Sequence, residues 1–157
     1  MVVSITWTII QHFAGYNTTK HEIGQYTRML GSIVFYVLIV VAILELRKQQ
    51  NGSLSFGEGF KTGSILSLIY SLGVSIWYAL YGEVMNIQYK PSLVAFERSK
   101  LEAAHASPEM IAAKMKEADM SSGGSFLSYV LLFVLMSLFG TLIAAIASLI
   151  LKRKKTT

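Results

Sequence analysis

The stretch FLSYVLLFVLMSLFGTLIAAIASLIL, from Phe126 to Leu151, holds no charged residue. As a helix it is long enough to cross a bilayer with some tilt. A second charge-free run covers Thr62–Gly82, and a third, Tyr26–Leu46, has one cation, Arg28, near its start. At 1.5 Å per residue the third run reaches roughly 31 Å, about one hydrocarbon thickness. These runs predict an all-α integral membrane helical bundle.

Composition agrees. Of 157 residues, 53% are hydrophobic and 15% charged, and the mean hydropathy is +0.50. Soluble domains carry about 25% charged residues. With 2 Pro, 12 Gly and 0 Cys the chain is neither disordered nor fibrous nor disulfide-built. The missing cysteine excludes Cys nucleophiles, thiolate zinc sites, iron–sulfur clusters and Cys-anchored lipids.

The first segment, Met1–Tyr16, is apolar but short, and carries Gln11 and His12. It lacks the basic n-region and cleavage site of a secretory signal. A helix here would reach roughly 24 Å. It is read as a short or N-terminally clipped first span, the alternative being an interfacial helix. The plan is then a single membrane domain over 1–157, with about four spans at 1–16, 26–46, 56–82 and 126–151. The long connection, 83–124, is a helical extracytoplasmic loop. Within it Ser107-Pro108-Glu109 has the chemistry of a helix start: a capping Ser, Pro at the first helical position, and an acid at the positive dipole end. A second amphipathic helix is predicted over Ser92–His105.

The 14 basic residues set the orientation. Arg47, Lys48, Lys61, Lys152, Arg153, Lys154 and Lys155 crowd short segments at span ends. Lys20, Arg28, Lys90, Arg98, Lys100, Lys114 and Lys116 are mostly diluted through the long loop among acids. The positive-inside rule places the dense set, and the C-terminus, in the cytoplasm. Tyr16, Tyr26, Trp77, Tyr78, Tyr81 and Tyr129 then fall near outer span ends, as an aromatic belt would. The tail Lys152-Arg153-Lys154-Lys155 serves as a topology signal or, more sharply, as a patch for anionic lipid or an acidic partner. No folded domain accompanies that charge, which argues against nucleic-acid binding.

Four motifs invite chemistry, and each has a structural reading. Ser55-Phe56-Gly57-Glu58 fits a capping box, the Ser55 hydroxyl on the Glu58 amide and the Glu58 carboxylate on the Ser55 amide. The functional alternative makes Glu58 an ion- or proton-binding acid. Gly59, Gly63, Ser67, Ser71, Ser75 and Ala79 are small and four apart, and the last span answers with Gly140, Ala144 and Ser148. Small residues at this spacing let helix backbones approach closely, which substitutes for the hydrophobic effect that lipid does not supply. Internal packing is the first reading of this ladder, a homodimer face the second and a serine-lined path the third. Tyr36 and Tyr70 fall near mid-span, where their hydroxyls need partners such as Ser67, Ser71 or Ser75. His12, His21 and His105 show no metal-ligand spacing, and neither a nucleophile triad nor a phosphate loop is present.

Over Asn51-Gly52-Ser53-Leu54-Ser55-Phe56-Gly57-Glu58-Gly59-Phe60-Lys61-Thr62-Gly63 the chain resembles a bacterial membrane family, the domain of unknown function 4199 family. The Ser-Pro-Glu-Met-Ile start at Ser107–Ile111 also resembles that family's loop. Gly59 stands where Ala is usual, and the usual Asn-Pro after the third span is represented only by Asn86, with Pro91 displaced. The resemblance implies architecture and no activity. The residues therefore point to a non-enzymatic accessory or scaffold protein of the bacterial cytoplasmic (inner) membrane, with no catalytic, cofactor or metal site. Its expected partners are the lipid bilayer and a second copy or another membrane protein. The alternative is a small transporter or channel subunit.

Overall fold

The computed structural model describes residues 2–121 and 124–153. Six α-helices follow one another: α1 (Val2–Phe13), α2 (His21–Gln49), α3 (Phe56–Leu80), α4 (Tyr89–Ala103), α5 (Pro108–Ser121) and α6 (Phe126–Leu151). A π-helical turn, Tyr81–Met85, extends α3. Among the described residues there is no strand. Leu54 and Arg153 form an isolated antiparallel bridge, exchanging both bonds at 2.9 and 2.8 Å.

Among the described residues three helices are long and apolar enough to cross a membrane: α2, α3 with its π-turn, and α6. They contain the runs that predicted spans, so the protein is a multi-pass helical membrane protein. Its surface supports this. Along α6, Leu138 and Phe139 are 61% and 57% exposed, while Ser137, Gly140, Ala144 and Ser148 are buried. Large apolar side chains face outward and small ones inward. That is the arrangement of helices packed by close approach in lipid.

α1 is shorter than the sequence suggested. The expected helix through Tyr16 stops at Phe13. Gly15 adopts a left-handed φ of +79°, its N–H bonds the His12 carbonyl and the Tyr16 N–H bonds Gln11, a glycine-closed helix end. The 12-residue helix reaches about 18 Å. The same closure ends α2 at Asn51 (φ +55°) and α4 at His105 (φ +53°).

The loop helices begin for identifiable reasons. Ser107 Oγ accepts the Met110 N–H at 3.3 Å, with Pro108 at the first helical position. The Glu109 backbone N–H and the Ser107 hydroxyl hold the Glu109 carboxyl below the usual carboxylate range. α4 starts at Tyr89, three residues before the expected Ser92. Pro91 fits its first turn, where a missing N–H leaves no intrahelical bond unmade. α4 packs on α5, and Lys90 pairs with Asp119 at 2.9 Å.

The chain divides into two compact units. One comprises Met1–Met29 and Val74–Leu131, the other Leu30–Gly73 and Leu132–Thr157. The second has an apolar core of Phe35, Ile39, Ile43, Leu54, Ala144 and Ala147. The first buries Val74 and Tyr81 beside many polar side chains: Thr8, Gln11, Asn17, His21, Asn86 and Ser128, with Ser75 from α3.

Candidate functional site

The ladder residues build the second unit. An added Cβ at Gly59 would sit 2.6 Å from Ser148 Oγ, one at Gly63 would strike the Ala144 methyl, and one at Gly140 would strike Ser67. Three small residues of α3 thus oppose three of α6, with Ile39 and Ile43 of α2 closing on the same glycines. Ser71 is fully buried, and Ser75, in the first unit, is nearly so. The Ser71 and Ser75 hydroxyls do not serve the mid-span tyrosines. Ser67 Oγ donates back to the Gly63 carbonyl at 2.7 Å, and the Ser71 and Ser75 hydroxyls have no hydrogen-bond partner among the described residues. Tyr70 stacks on Phe35 instead, at 3.7 Å.

At the α2–α3 turn, Ser55 N–H donates to Glu58 Oε2 at 2.9 Å and Glu58 N–H donates to Ser55 Oγ at 3.3 Å. The Ser55 hydroxyl also donates to Oε2, and Gln50 Nε2 donates to Oε1 at 3.0 Å. All these atoms lie at the exposed start of α3. Lys152 and Arg153 follow α6 directly, and the Leu54 pairing holds Arg153 beside this turn. Lys154 and Lys155 lie outside the described residues.

The most organised polar cluster was not among the sequence candidates. It belongs to the first unit and is assembled from five segments. α1 presents Trp7, Thr8, Gln11 and His12 on one face. The α1–α2 connection adds Asn17. α2 adds His21, Thr27 and Arg28, and the π-turn and α4 add Tyr81, Asn86, Tyr89 and Ser92. Gly24 makes the junction possible, because a Cβ there would strike the Tyr16 carbonyl.

Asn86 is the hub. Its Nδ2 donates to the Asn17 carbonyl and to Tyr81 Oη, both at 3.0 Å, and its backbone N–H donates to the Tyr81 carbonyl at 2.7 Å. That last bond closes the π-turn. Tyr81 Oη lies 3.0 Å from His12 Nδ1. The Tyr81 hydroxyl thus joins the Asn86 amide to the His12 ring. Tyr81 is 1% exposed, so it is not the belt residue the sequence suggested. Trp7 Nε1 donates to the Thr27 carbonyl at 3.0 Å, and the Gln11 amide meets the Thr27 hydroxyl at 2.7 Å.

His21 ties α4 to α2. Ser92 Oγ gives its hydrogen to the Tyr89 carbonyl at 3.0 Å, so His21 Nε2 is the donor across the 2.9 Å contact with Ser92. Arg28 reaches Asn17 Oδ1 at 3.4 Å and lies over the Tyr89 ring, 5.9 Å from its centre. Burial pushes the Tyr89 phenol up, against the pull of the Arg28 guanidinium. Among the described residues Arg28 has no carboxylate partner and no three His, Asp or Glu gather as metal ligands.

Residues 1–153 match the profile of the family described as "Protein of unknown function (DUF4199)". The chain belongs to that family. Neither a curated protein nor a solved structure matches it. In this DUF4199 member the hub asparagine had one sequence signal, Asn86 standing where the family resemblance expects an asparagine after the third span. Asn17 and Tyr81 had none, because their bonds to Asn86 and His12 cross 69 residues of sequence.

Proposed function

We propose that the protein is a non-enzymatic accessory or scaffold protein of the bacterial cytoplasmic membrane, and that α4 and α5 are the part that meets a partner. The partner is a second copy or another membrane protein. One observation carries the reading: side-chain bonds fix the start of α4, through the buried Asn86 on Asn17 and His21 on the half-buried Ser92, whereas the far sides of α4 and α5 are charged and exposed. A helix pair mounted on such a junction has the stiffness of a docking element. The polar groups at the junction bond chiefly one another, which suits construction better than reaction.

The C-terminus is taken as cytoplasmic and the Glu83–Gly124 connection as extracytoplasmic, on the density of cations at Arg47, Lys48, Lys61, Lys152 and Arg153. Photo-crosslinkers at Arg98 and Lys116 in native membranes test the docking surface, with Phe139 as the lipid-facing control. A discrete product from the first two positions, absent at Phe139, is expected. Products from Phe139 alone would overturn the assignment.

A further inference from the structure

An open pocket of about 790 Å³ lies in the second unit, between the α2–α3 turn and the end of α6. Gln50, Asn51, Ser53 and Ser55 line its polar side, with Phe56 and the cations Lys152 and Arg153. We propose that this pocket seats the phosphate of an anionic phospholipid headgroup.

Three observations support this occupant. The first is uncompensated charge. Among the described residues neither the Lys152 ammonium nor the Arg153 guanidinium has a carboxylate or hydrogen-bond partner. Glu58, the acid in the lining, is held by Ser55 and Gln50 within the capping box. The second is placement. The paired backbones of Leu54 and Arg153 set the arginine at the pocket wall without using its side chain. An arginine so placed matches phosphate bidentately. The third is depth. Lys152 is the first residue after the apolar run of α6, and Phe56, stacked on Phe60, opens α3. A site between the ends of two spans lies at headgroup level, where cations meet lipid phosphates.

The test uses the purified full chain in nanodiscs of phosphatidylcholine, with and without phosphatidylglycerol. Native mass spectrometry reads retained phosphatidylglycerol, and thermal unfolding reads stability. Wild type should retain phosphatidylglycerol and melt higher in its presence. The double variant Lys152→Gln with Arg153→Gln should bind it about 30-fold more weakly, the loss of two contacts of about 1 kcal/mol each. Lys152→Arg with Arg153→Lys keeps both charges and should keep retention. Lys114→Gln, on α5, should change nothing. Unfolding in phosphatidylcholine alone shows that each variant is folded. Equal retention by the glutamine double variant would overturn the proposal. Inorganic phosphate reproducing the stabilisation in phosphatidylcholine alone would overturn the lipid as occupant in favour of a free anion. Stabilisation by an acidic peptide, with no retention of phosphatidylglycerol by wild type, would point to a protein partner and would also overturn it.

Discussion

Asn86 uses both side-chain hydrogens and its backbone N–H in one place, and nothing else reaches all three acceptors. Asn86→Ala removes both amide donors and leaves the buried Asn17 carbonyl unpaired. Leaving such a group unsatisfied costs about 1–3 kcal/mol. The variant should melt well below wild type in detergent, and an unchanged melting point would refute the hub role. Ser55 and Glu58 are exposed and their loss should be milder. Ser55→Ala leaves a helix-start amide uncapped and should cost about 1 kcal/mol. Glu58→Gln keeps an oxygen for the Ser55 amide and should cost a few tenths, mainly the charge–dipole contribution. If Glu58→Gln proves the more damaging of the two, or abolishes a cellular phenotype in a fully stable protein, Glu58 does chemistry instead. The two sites differ in legibility for a physical reason. The capping box was readable because its partners are three residues apart. The bonds joining His12 to Tyr81 and Asn17 to Asn86 were not, because sequence spacing carries no trace of contacts made by folding. Tyr81 looked like an interfacial aromatic for the same reason: its position along the chain was right, and only packing decides which way the ring turns.

Each α3 ladder step reads differently once its neighbour is known. Gly59, Gly63 and Ser67 meet Ser148, Ala144 and Gly140, so small residues oppose small residues over three steps. A period of four drifts about 40° per step on a 3.6-residue helix. The later steps, Ser71 and Ser75, are buried with no hydrogen-bond partner in reach. Ser71→Leu therefore puts a branched side chain where no space exists, at a typical overpacking cost of about 1–3 kcal/mol. Detergent melting should fall clearly, and wild-type melting would mean that this face meets lipid. The long apolar helices were legible, since charge-free runs leave lipid as their surroundings, and so was the start of α5 at Ser107-Pro108. The π-turn at Tyr81–Met85 was not, because a wider helical turn has no composition of its own and is closed here by Asn86. α1 outran its glycine on paper for a related reason. Apolar residues continue through Ala14, but Gly15 in the left-handed region ends the helix before them.

One backbone pairing fixes which ends of the second unit's helices share a side. Leu54 and Arg153 exchange hydrogen bonds, so the α2–α3 turn and the residue just past α6 lie together. A crossing by α3 and a return crossing by α6 satisfy this. That consequence holds whether α1 crosses the bilayer or lies at its surface, because α1 precedes all of these segments. The pairing does not distinguish inside from outside; the proposed orientation rests on charge. Arg47, Lys48, Lys61, Lys152 and Arg153 crowd the shared side within a few residues of span ends, where cations resist translocation. On α4 and α5, by contrast, Lys100, Lys114 and Arg98 are paired with Glu97, Glu117 and Glu102, and Lys90 with Asp119. Reporter fusions after Asn51 and after Thr157 should both signal cytoplasm, and a fusion after His105 should signal the outside. Opposite signals from Asn51 and Thr157 would break the shared side and with it the Leu54–Arg153 pairing. A cytoplasmic signal at His105, with both others outside, would keep the pairing and reverse the charge argument, and the lipid pocket would then face the outer leaflet.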